Sequence, residues 1–139
     1  MRKNESVTNI MSKNVISAEE GQSLSLVCEA MNKHSIHHVP VVNAGKLVGI
    51  VSFTDMMKLN LVTSAATQHT IGAILDKQFS IRDVMTTNVF SINIKDTIRF
   101  ATETLSSGKF HSLPVVNDDN QLKGLVTSTD LIRYLGAQY

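Results

Sequence analysis

One short motif, containing glycine, hydroxyl and acidic residues, occurs twice and carries groups suited to a nucleoside phosphate. Its copies, Gly49–Asp55 and Gly124–Asp130, both read Gly-x-x-Ser/Thr-x-Thr-Asp. An apolar run before each copy predicts a strand, and a helix is predicted to follow its final acid. Ser52 and Thr127 would therefore lie at a turn where free N–H groups and the helix dipole favour an anion. A hydroxyl there can also donate to a phosphate oxygen.

The acid that ends each motif, Asp55 or Asp130, gives this turn a second binding group. A carboxylate one turn from the hydroxyl can accept hydrogen bonds from a ribose diol, as acidic residues do in dinucleotide sites. A structural alternative stays open, because Asp and Thr at the start of a helix commonly act as capping residues. Gene doubling would duplicate a cap as readily as a binding site.

An internal repeat underlies the duplicated motif. Three segments of the first half match three of the second in the same order, with a one-residue insertion in a polar turn before the last pair. The matched pairs are Ile10–Ser17 with Val84–Ser91, His37–Asn43 with His111–Asn117, and Leu47–Asp55 with Leu122–Asp130. Two copies of one structural unit are therefore predicted.

Each copy is predicted to run strand, helix, strand, strand, helix. Short extended runs at 15–16 and 89–92 precede helices that are expected to begin near Ser23 and Thr97, both favourable N-cap residues. Two β-rich runs joined by a short polar turn then predict a hairpin. A three-stranded sheet with two helices is small for an independent domain, so the two copies are expected to pack sheet against sheet.

The repeat also predicts the domain boundaries. We expect a first domain over 1–62, a connector over 63–78 and a second domain over 79–139. The connector begins with small and polar residues and continues with the apolar stretch 71–75, which could hold a helical turn.

Both halves resemble CBS (cystathionine beta-synthase-type) domains in three motifs that occur in the same order. These are the Ile/Val-Met-x-x-Asn-Val start, the His-x-apolar-Pro-Val-Val strand and the Gly-apolar-Val-Ser/Thr-x-x-Asp finish. The resemblance covers nearly the whole chain apart from the connector. It implies an α+β fold in which two CBS domains pack through their sheets with pseudo-twofold symmetry. It also implies two equivalent clefts that bind AMP, ADP, ATP, S-adenosylmethionine or related ligands, and frequent assembly into a homodimer.

The resemblance assigns ligand contacts in both copies. The hydroxyls would contact phosphate or ribose, the acids would contact the ribose hydroxyls, and backbone around Val15–Ile16 and Val89–Phe90 would pair with the adenine edge. The candidate ligand-binding residues are Val15, Ile16, His37, His38, Pro40, Ser52, Thr54 and Asp55 in the first copy, and Val89, Phe90, His111, Ser112, Pro114, Thr127, Thr129 and Asp130 in the second.

One pair of positions departs from the family pattern. Where some family members carry a basic residue that reaches the phosphates, this chain has His38 and Ser112. Neither is Arg or Lys, so the resemblance implies weaker polyphosphate binding, most of all on the side of Ser112.

Composition and charge restrict the classes of function. The chain is 42% apolar and 18% charged, which is ordinary for a soluble globular protein. No window approaches the roughly 20 apolar residues of a membrane span, and the chain start lacks the apolar stretch of a signal peptide, so a cytoplasmic protein without a membrane partner is predicted. A net charge of +1 with scattered Lys and Arg argues against a nucleic-acid partner.

No set of residues predicts catalysis or a metal site. The chain has no nucleophile elbow, no phosphate-binding Gly-rich loop with Lys and no Cys-x-x-Cys. His37 and His38 are strand neighbours that point to opposite faces, so they cannot easily share an ion. His37 and His111 recur in both copies and are expected to support the cleft through a ring hydrogen bond. Cys28 and the methionines, including the Met56–Met57 pair, are expected in the core.

The function predicted from the sequence is therefore regulatory. The chain is expected to sense an adenine nucleotide or S-adenosylmethionine as a regulatory ligand, to require no cofactor, to catalyse no reaction and to signal to an unidentified regulated protein. The alternative is a constitutive protein-interaction scaffold whose clefts are vestigial.

Overall fold

The computed structural model describes residues 4–60 and 76–139. Most of the predicted connector, including the helical turn considered for 71–75, lies outside the described residues. The elements in chain order are a 3₁₀ turn Val7–Asn9, β1 Ala18–Glu19, α1 Leu24–His34, β2 His38–Asn43, β3 Lys46–Ser52, α2 Phe53–Asn60, α3 Ile81–Val84, β4 Ile92–Asn93, α4 Ile98–Ser106, β5 Ser112–Val116, β6 Leu122–Thr127 and α5 Ser128–Ala137. Within the described ranges, no helix combines the length and the apolar character needed to span a membrane.

Two three-stranded mixed sheets confirm the predicted α+β class. The strand orders are β1-β2-β3 and β4-β5-β6. In each sheet the short first strand runs parallel to the second, and the second pairs antiparallel with the third. Ala44 and Gly45 both adopt positive φ in the two-residue turn between β2 and β3, which is the geometry that closes a tight hairpin.

The first strand of each sheet begins later in the sequence than predicted. β1 and β4 are two-residue strands, so Val15–Ile16 and Val89–Ser91 precede the strands instead of forming them. Each parallel ladder contains only two residue pairs. The first pair is Ala18 with Val41 in one sheet and Ile92 with Val115 in the other.

The helices begin where a hydroxyl residue can cap them. α1 and α4 directly follow Ser23 and Thr97, as predicted, and the Thr97 Oγ1 accepts the Phe100 N–H at 3.1 Å. The closing helices were predicted to follow Asp55 and Asp130, and this was wrong. Both α2 and α5 begin two residues before their acid, because the preceding Ser or Thr already supplies the cap.

The chain divides into two compact units, which we call the central unit (Ile16–Val89) and the terminal unit (Met1–Val15 with Phe90–Tyr139). The sheet of each unit comes from one repeat, whereas the segment that opens that repeat belongs to the other unit. The bounds of these units therefore differ from the predicted domains 1–62 and 79–139 and the predicted connector 63–78. Those boundaries follow the sequence repeat and stay a prediction.

Each unit has its own apolar core. α1 and α4 each supply buried apolar residues at helical spacing, which are Leu24, Val27 and Met31 in α1 and Ile98, Ala101 and Leu105 in α4. The central core consists of Ala18, Leu24, Val27, Met31, Val39, Val41, Val51, Met56 and Ile81. The terminal core consists of Val7, Ile92, Ala101, Leu105, Leu113, Val115 and Val126.

Among the residues predicted to lie in the core, Met57 is exposed, and Met11, Cys28 and Met85 are half-buried. Met57 is 53% exposed, because the adjacent Met56 takes the core position of α2. Cys28 is half-buried and packs against the edge of the central core.

Candidate ligand-binding corners

The central corner is the turn from β3 into α2, where Ser52 and Asp55 cap the helix reciprocally. The Ser52 N–H donates to the Asp55 Oδ2 at 3.1 Å, and the Asp55 N–H donates to the Ser52 Oγ, also at 3.1 Å. Both side chains are half-buried, whereas Thr54 is exposed on the first turn. This box forms here because a hydroxyl and an acid three residues later reach each other's backbone amides.

The terminal corner repeats this arrangement at the start of α5. The Thr127 N–H donates to the Asp130 Oδ2 at 2.8 Å, and the Asp130 N–H donates to the Thr127 Oγ1 at 3.4 Å. The Thr127 hydroxyl also donates to the Asp130 Oδ2 at 3.1 Å, and Arg133 Nη1 lies 3.6 Å from the Asp130 Oδ1. Thr129, like Thr54, is exposed.

The capping alternative considered from the sequence is therefore present in both corners. It does not exhaust the binding capacity of the acids, because each box uses Oδ2 and a carboxylate has a second acceptor oxygen. The corner of either unit thus combines a helix N-terminus, a hydroxyl and a partly exposed carboxylate.

The two positions that differ from the family pattern, His38 and Ser112, lie next to the corners on the neighbouring strands. The antiparallel register sets His38 opposite Ser52 and Ser112 opposite Thr127. His38 is half-buried, and Ser112 is 7% exposed. Directly opposite residues of an antiparallel pair lie on the same face of the sheet, so these side chains neighbour the corner hydroxyls.

The two prolines lie deeper in the same strands. Pro40 pairs with Ile50 and Pro114 with Leu125, and both prolines are buried. The ligand contacts predicted for both prolines stay a prediction.

The two recurrent histidines are exposed at the start of the hairpin strands. The His37 ring packs edge-on against Phe53, with centroids 5.3 Å apart, and the His37 carbonyl accepts the Phe53 N–H at 2.7 Å. His111 occupies the equivalent exposed position of the terminal unit. The ring hydrogen bonds expected for both stay a prediction.

Residues predicted to line the adenine edge precede β1 and β4. Val15, Ile16 and Val89 are half-buried, whereas Phe90 is 42% exposed. The Phe90 ring stacks on Phe110 with a centroid distance of 4.9 Å and an interplanar angle of 27°.

Sequence reasoning missed the segments that brace the strands leading into the corners. In the central unit Ile50 and Thr86 exchange two backbone hydrogen bonds, of 3.1 and 2.9 Å. In the terminal unit Ser12 and Leu125 do the same, at 2.9 and 3.0 Å. The only sequence signal for these segments was the Met-x-x-Asn pattern that both share. The repeat makes this pattern visible, but it does not show which strand the segments contact.

Among residues 4–60 and 76–139, no three His, Cys, Asp or Glu side chains are grouped so that they could hold a metal ion.

Both repeats of the chain match the same family of known sequences. The sequence model of the family described as "CBS domain" matches residues 7–61 and again residues 81–137. The chain belongs to the CBS domain family. The resemblance inferred from the three repeated motifs is thereby confirmed for both halves of the chain.

A curated relative of this CBS protein is MJ1225 of Methanocaldococcus jannaschii, which is 29% identical over 133 residues. The match covers 94% of this chain and 47% of MJ1225. The chain spans about half of MJ1225 and only 23 to 24% of the next curated relatives, so the activities of those longer proteins do not transfer with the match.

Two solved structures have the same fold as this CBS chain. The CBS domain pair of protein MJ0100, in complex with 5′-methylthioadenosine and S-adenosyl-L-methionine, superposes with a TM-score of 0.76 at 29% identity, over 96% of this chain and 98% of that one. CBSX2, which is known from Arabidopsis thaliana and was solved in complex with AMP, gives a TM-score of 0.80 over 97% and 99% of the two chains. Its identity of 22% shows a shared fold only.

Proposed function

We propose that the chain is a regulatory module that binds an adenosine-containing ligand at its two strand-to-helix corners and catalyses no reaction. The observation that carries the proposal is the pair of corners, Ser52 with Asp55 and Thr127 with Asp130. In each corner the helix cap uses only one of the two carboxylate oxygens of the acid. The ligands named for the MJ0100 pair, which is 29% identical to this chain, support the same ligand class here.

The chemistry of a corner suits a nucleoside with a small charged group. The helix N-terminus favours an anion, and the corner hydroxyl can donate to a phosphate oxygen, in the terminal corner by exchanging its hydrogen bond to the Asp130 Oδ2. The second carboxylate oxygen can accept from a ribose hydroxyl. His38 and Ser112, the neighbours of these hydroxyls, carry no permanent positive charge, which favours AMP or S-adenosylmethionine over a triphosphate.

Isothermal titration with AMP, ATP and S-adenosylmethionine tests this function directly. We expect binding by the unmodified chain and its loss at the affected corner in Asp55→Ala and in Asp130→Ala. A folded protein that gives no heat with any adenosine compound would rule the proposal out.

A matched variant separates ligand binding from helix capping. Ser80 and Asp83 form the same type of capping box at α3, with the Ser80 N–H donating to the Asp83 Oδ2 at 2.9 Å. Asp83→Ala removes this cap, which contains none of the corner residues. We expect it to lower thermal stability and to leave adenosine binding unchanged.

A constitutive interaction scaffold is the second candidate, because the capping boxes alone can account for both hydroxyl and acid pairs. The scaffold predicts that Asp55→Ala and Asp130→Ala cost about 1 kcal/mol of stability each and leave partner binding intact. Ligand binding that disappears in these variants while the fold persists would decide against it.

We also propose that the module assembles as a homodimer, since apolar side chains are exposed on the closing helices. Met57 and Ile132, at equivalent positions of α2 and α5, are 53% and 69% exposed. Sedimentation velocity should give a dimer for the chain and a monomer for Ile132→Asp. A monomer at all concentrations would refute this assembly.

A further inference from the structure

Each closing helix carries a basic residue one turn beyond the acid of its corner. Lys58 follows Asp55 by three residues in α2, and Arg133 follows Asp130 by three residues in α5. Residues at this spacing lie on the same face of a helix, and helical side chains lean towards the N-terminus. Both basic side chains are exposed. Each can therefore reach back to the corner that precedes it.

The two corners differ in the pairing of this basic residue. Arg133 Nη1 lies 3.6 Å from the Asp130 Oδ1, and the exposed fractions of the two side chains are 76% and 12%. Among the residues that the structure describes, Lys58 forms no ion pair with Asp55. The acid of the terminal corner is thus paired within its own helix, whereas the acid of the central corner has no such partner in the described ranges.

The ion pair of the terminal corner occupies the carboxylate oxygen that the helix cap leaves over. The Thr127 N–H and hydroxyl both donate to the Asp130 Oδ2. The Asp130 Oδ1 is therefore the acceptor that a ribose hydroxyl would use. Since only 12% of the Asp130 side chain is exposed, a guanidinium beside Oδ1 leaves a ribose little access to this oxygen.

The Arg133 guanidinium is held at an unfavourable end of its helix. The positive end of the helix dipole lies at the N-terminus, where it favours anions and disfavours cations. Asp130 offsets this effect, but an exposed ion pair of 3.6 Å stabilises a side-chain position only weakly. A phosphate in the corner would offer negative charge and oxygen atoms that a guanidinium can bind bidentately. Arg133 would therefore exchange a weak partner for a stronger one when an anionic ligand enters.

We propose that Arg133 determines the ligand specificity of the terminal corner and reserves this corner for adenosine nucleotides that carry a phosphate. The inference rests on the proposed function and deepens it, because it names the ligand charge that one corner selects. In the absence of a phosphate, Arg133 pairs with Asp130 and opposes ribose binding. With AMP, the guanidinium leaves the Asp130 Oδ1 to the ribose and donates to the phosphate. Adenosine and the cationic S-adenosylmethionine offer no phosphate, so the terminal corner binds them more weakly than AMP.

Isothermal titration of the full chain with AMP and with adenosine tests this selection, because the two probes differ only in the phosphate. Asp55→Ala removes the acid of the central corner, so that the terminal corner is measured alone. In this background we expect Arg133→Gln to weaken AMP binding by about tenfold and to strengthen adenosine binding by about two- to fivefold. Arg133→Lys keeps the positive charge and should preserve the preference for AMP.

Arg99→Gln is the matched control. Arg99 lies on α4 of the same unit, pairs with Glu103 at 3.2 Å and is 61% exposed, but it belongs to neither corner. Its replacement changes the net charge of the chain by the same amount as Arg133→Gln. We expect the affinities for both probes to be unchanged in this variant. Thermal unfolding of all variants shows whether each is folded.

The outcomes separate this inference from the proposed function. Opposite changes for AMP and adenosine in Arg133→Gln support the selection, since a general structural effect would weaken both. Equal losses for the two probes, unchanged affinities, or the same changes in Arg99→Gln would each overturn the inference and leave the proposed function standing. The inference also fails if Asp55→Ala alone abolishes all binding, because the terminal corner then binds neither probe. If the unmodified chain binds no adenosine compound, both proposals fail.

Discussion

Met11 packs against Gly124 so closely that a β-carbon at this glycine would overlap its Sδ. The Ser12 carbonyl oxygen lies only 3.0 Å from the same position, so the backbone blocks it too. We therefore expect Gly124→Ala to lower the free energy of unfolding by about 1 to 3 kcal/mol, the usual cost of overpacking. Urea denaturation followed by circular dichroism measures this change.

Gly136→Ala provides the control for this substitution. Gly136 lies in α5, and among residues 4–60 and 76–139 no atom apart from its chain neighbours and the adjacent helix backbone lies within 4 Å of its β-carbon position. Alanine there should leave the protein as stable or stabilise it by up to about 1 kcal/mol. A Gly124→Ala protein that unfolds at the same urea concentration as the unmodified chain would disprove the close packing of Met11.

The hydroxyl of Thr127 should contribute to both stability and ligand binding. Thr127→Ala removes the acceptor for the Asp130 N–H, so we expect a loss of about 1 kcal/mol in stability together with weaker adenosine binding. Thr127→Ser keeps the hydroxyl and should retain both. Thermal unfolding and isothermal titration measure the two effects separately.

Thr97 is the matched control for the role of Thr127, because it is a threonine N-cap in the same unit but outside the corner. Thr97→Ala should lower stability to a similar extent without changing adenosine affinity. If Thr97→Ala and Thr127→Ala weaken binding equally, the hydroxyl of Thr127 has no specific role in the ligand site.

The capping box of α3 should make stability depend on pH in the acidic range. Hydrogen bonds from the backbone and hydroxyl of Ser80 hold the pKa of Asp83 below its usual value. A carboxyl with a lowered pKa in the folded state stabilises the fold above the pKa of the unfolded chain, and this contribution disappears as the pH falls through the lower folded value. The difference in stability between the unmodified chain and Asp83→Asn should thus narrow as the pH falls from neutral to about 3. A gap that stays constant over this range would exclude the linkage.

Local signals predicted the starts of α1 and α4 and the chain positions of the two corners, whereas features that depend on long-range pairing could not be predicted. Both helices begin directly after a hydroxyl residue: the Thr97 side chain caps α4, whereas Ser23 occupies the N-cap position of α1 without a capping hydrogen bond from its side chain. The late start of β4 depends on its partner Val115, and the contact of Met11 with Gly124 joins opposite ends of the chain. No periodicity or turn propensity carries information on such pairs. The exposed stack of Phe90 was missed for the same reason.

The single cysteine should react slowly with thiol reagents. Burial raises the pKa of the Cys28 thiol, and the negative charges of Asp76 and Glu29 raise it further. Since the thiolate is the nucleophile, a raised pKa lowers its population at a given pH. We expect alkylation by iodoacetamide at mildly alkaline pH to be slower in the folded protein than in urea, and Asp76→Asn to accelerate it modestly. Equal rates for the folded and the unfolded chain would show that neither burial nor these charges protect the thiol.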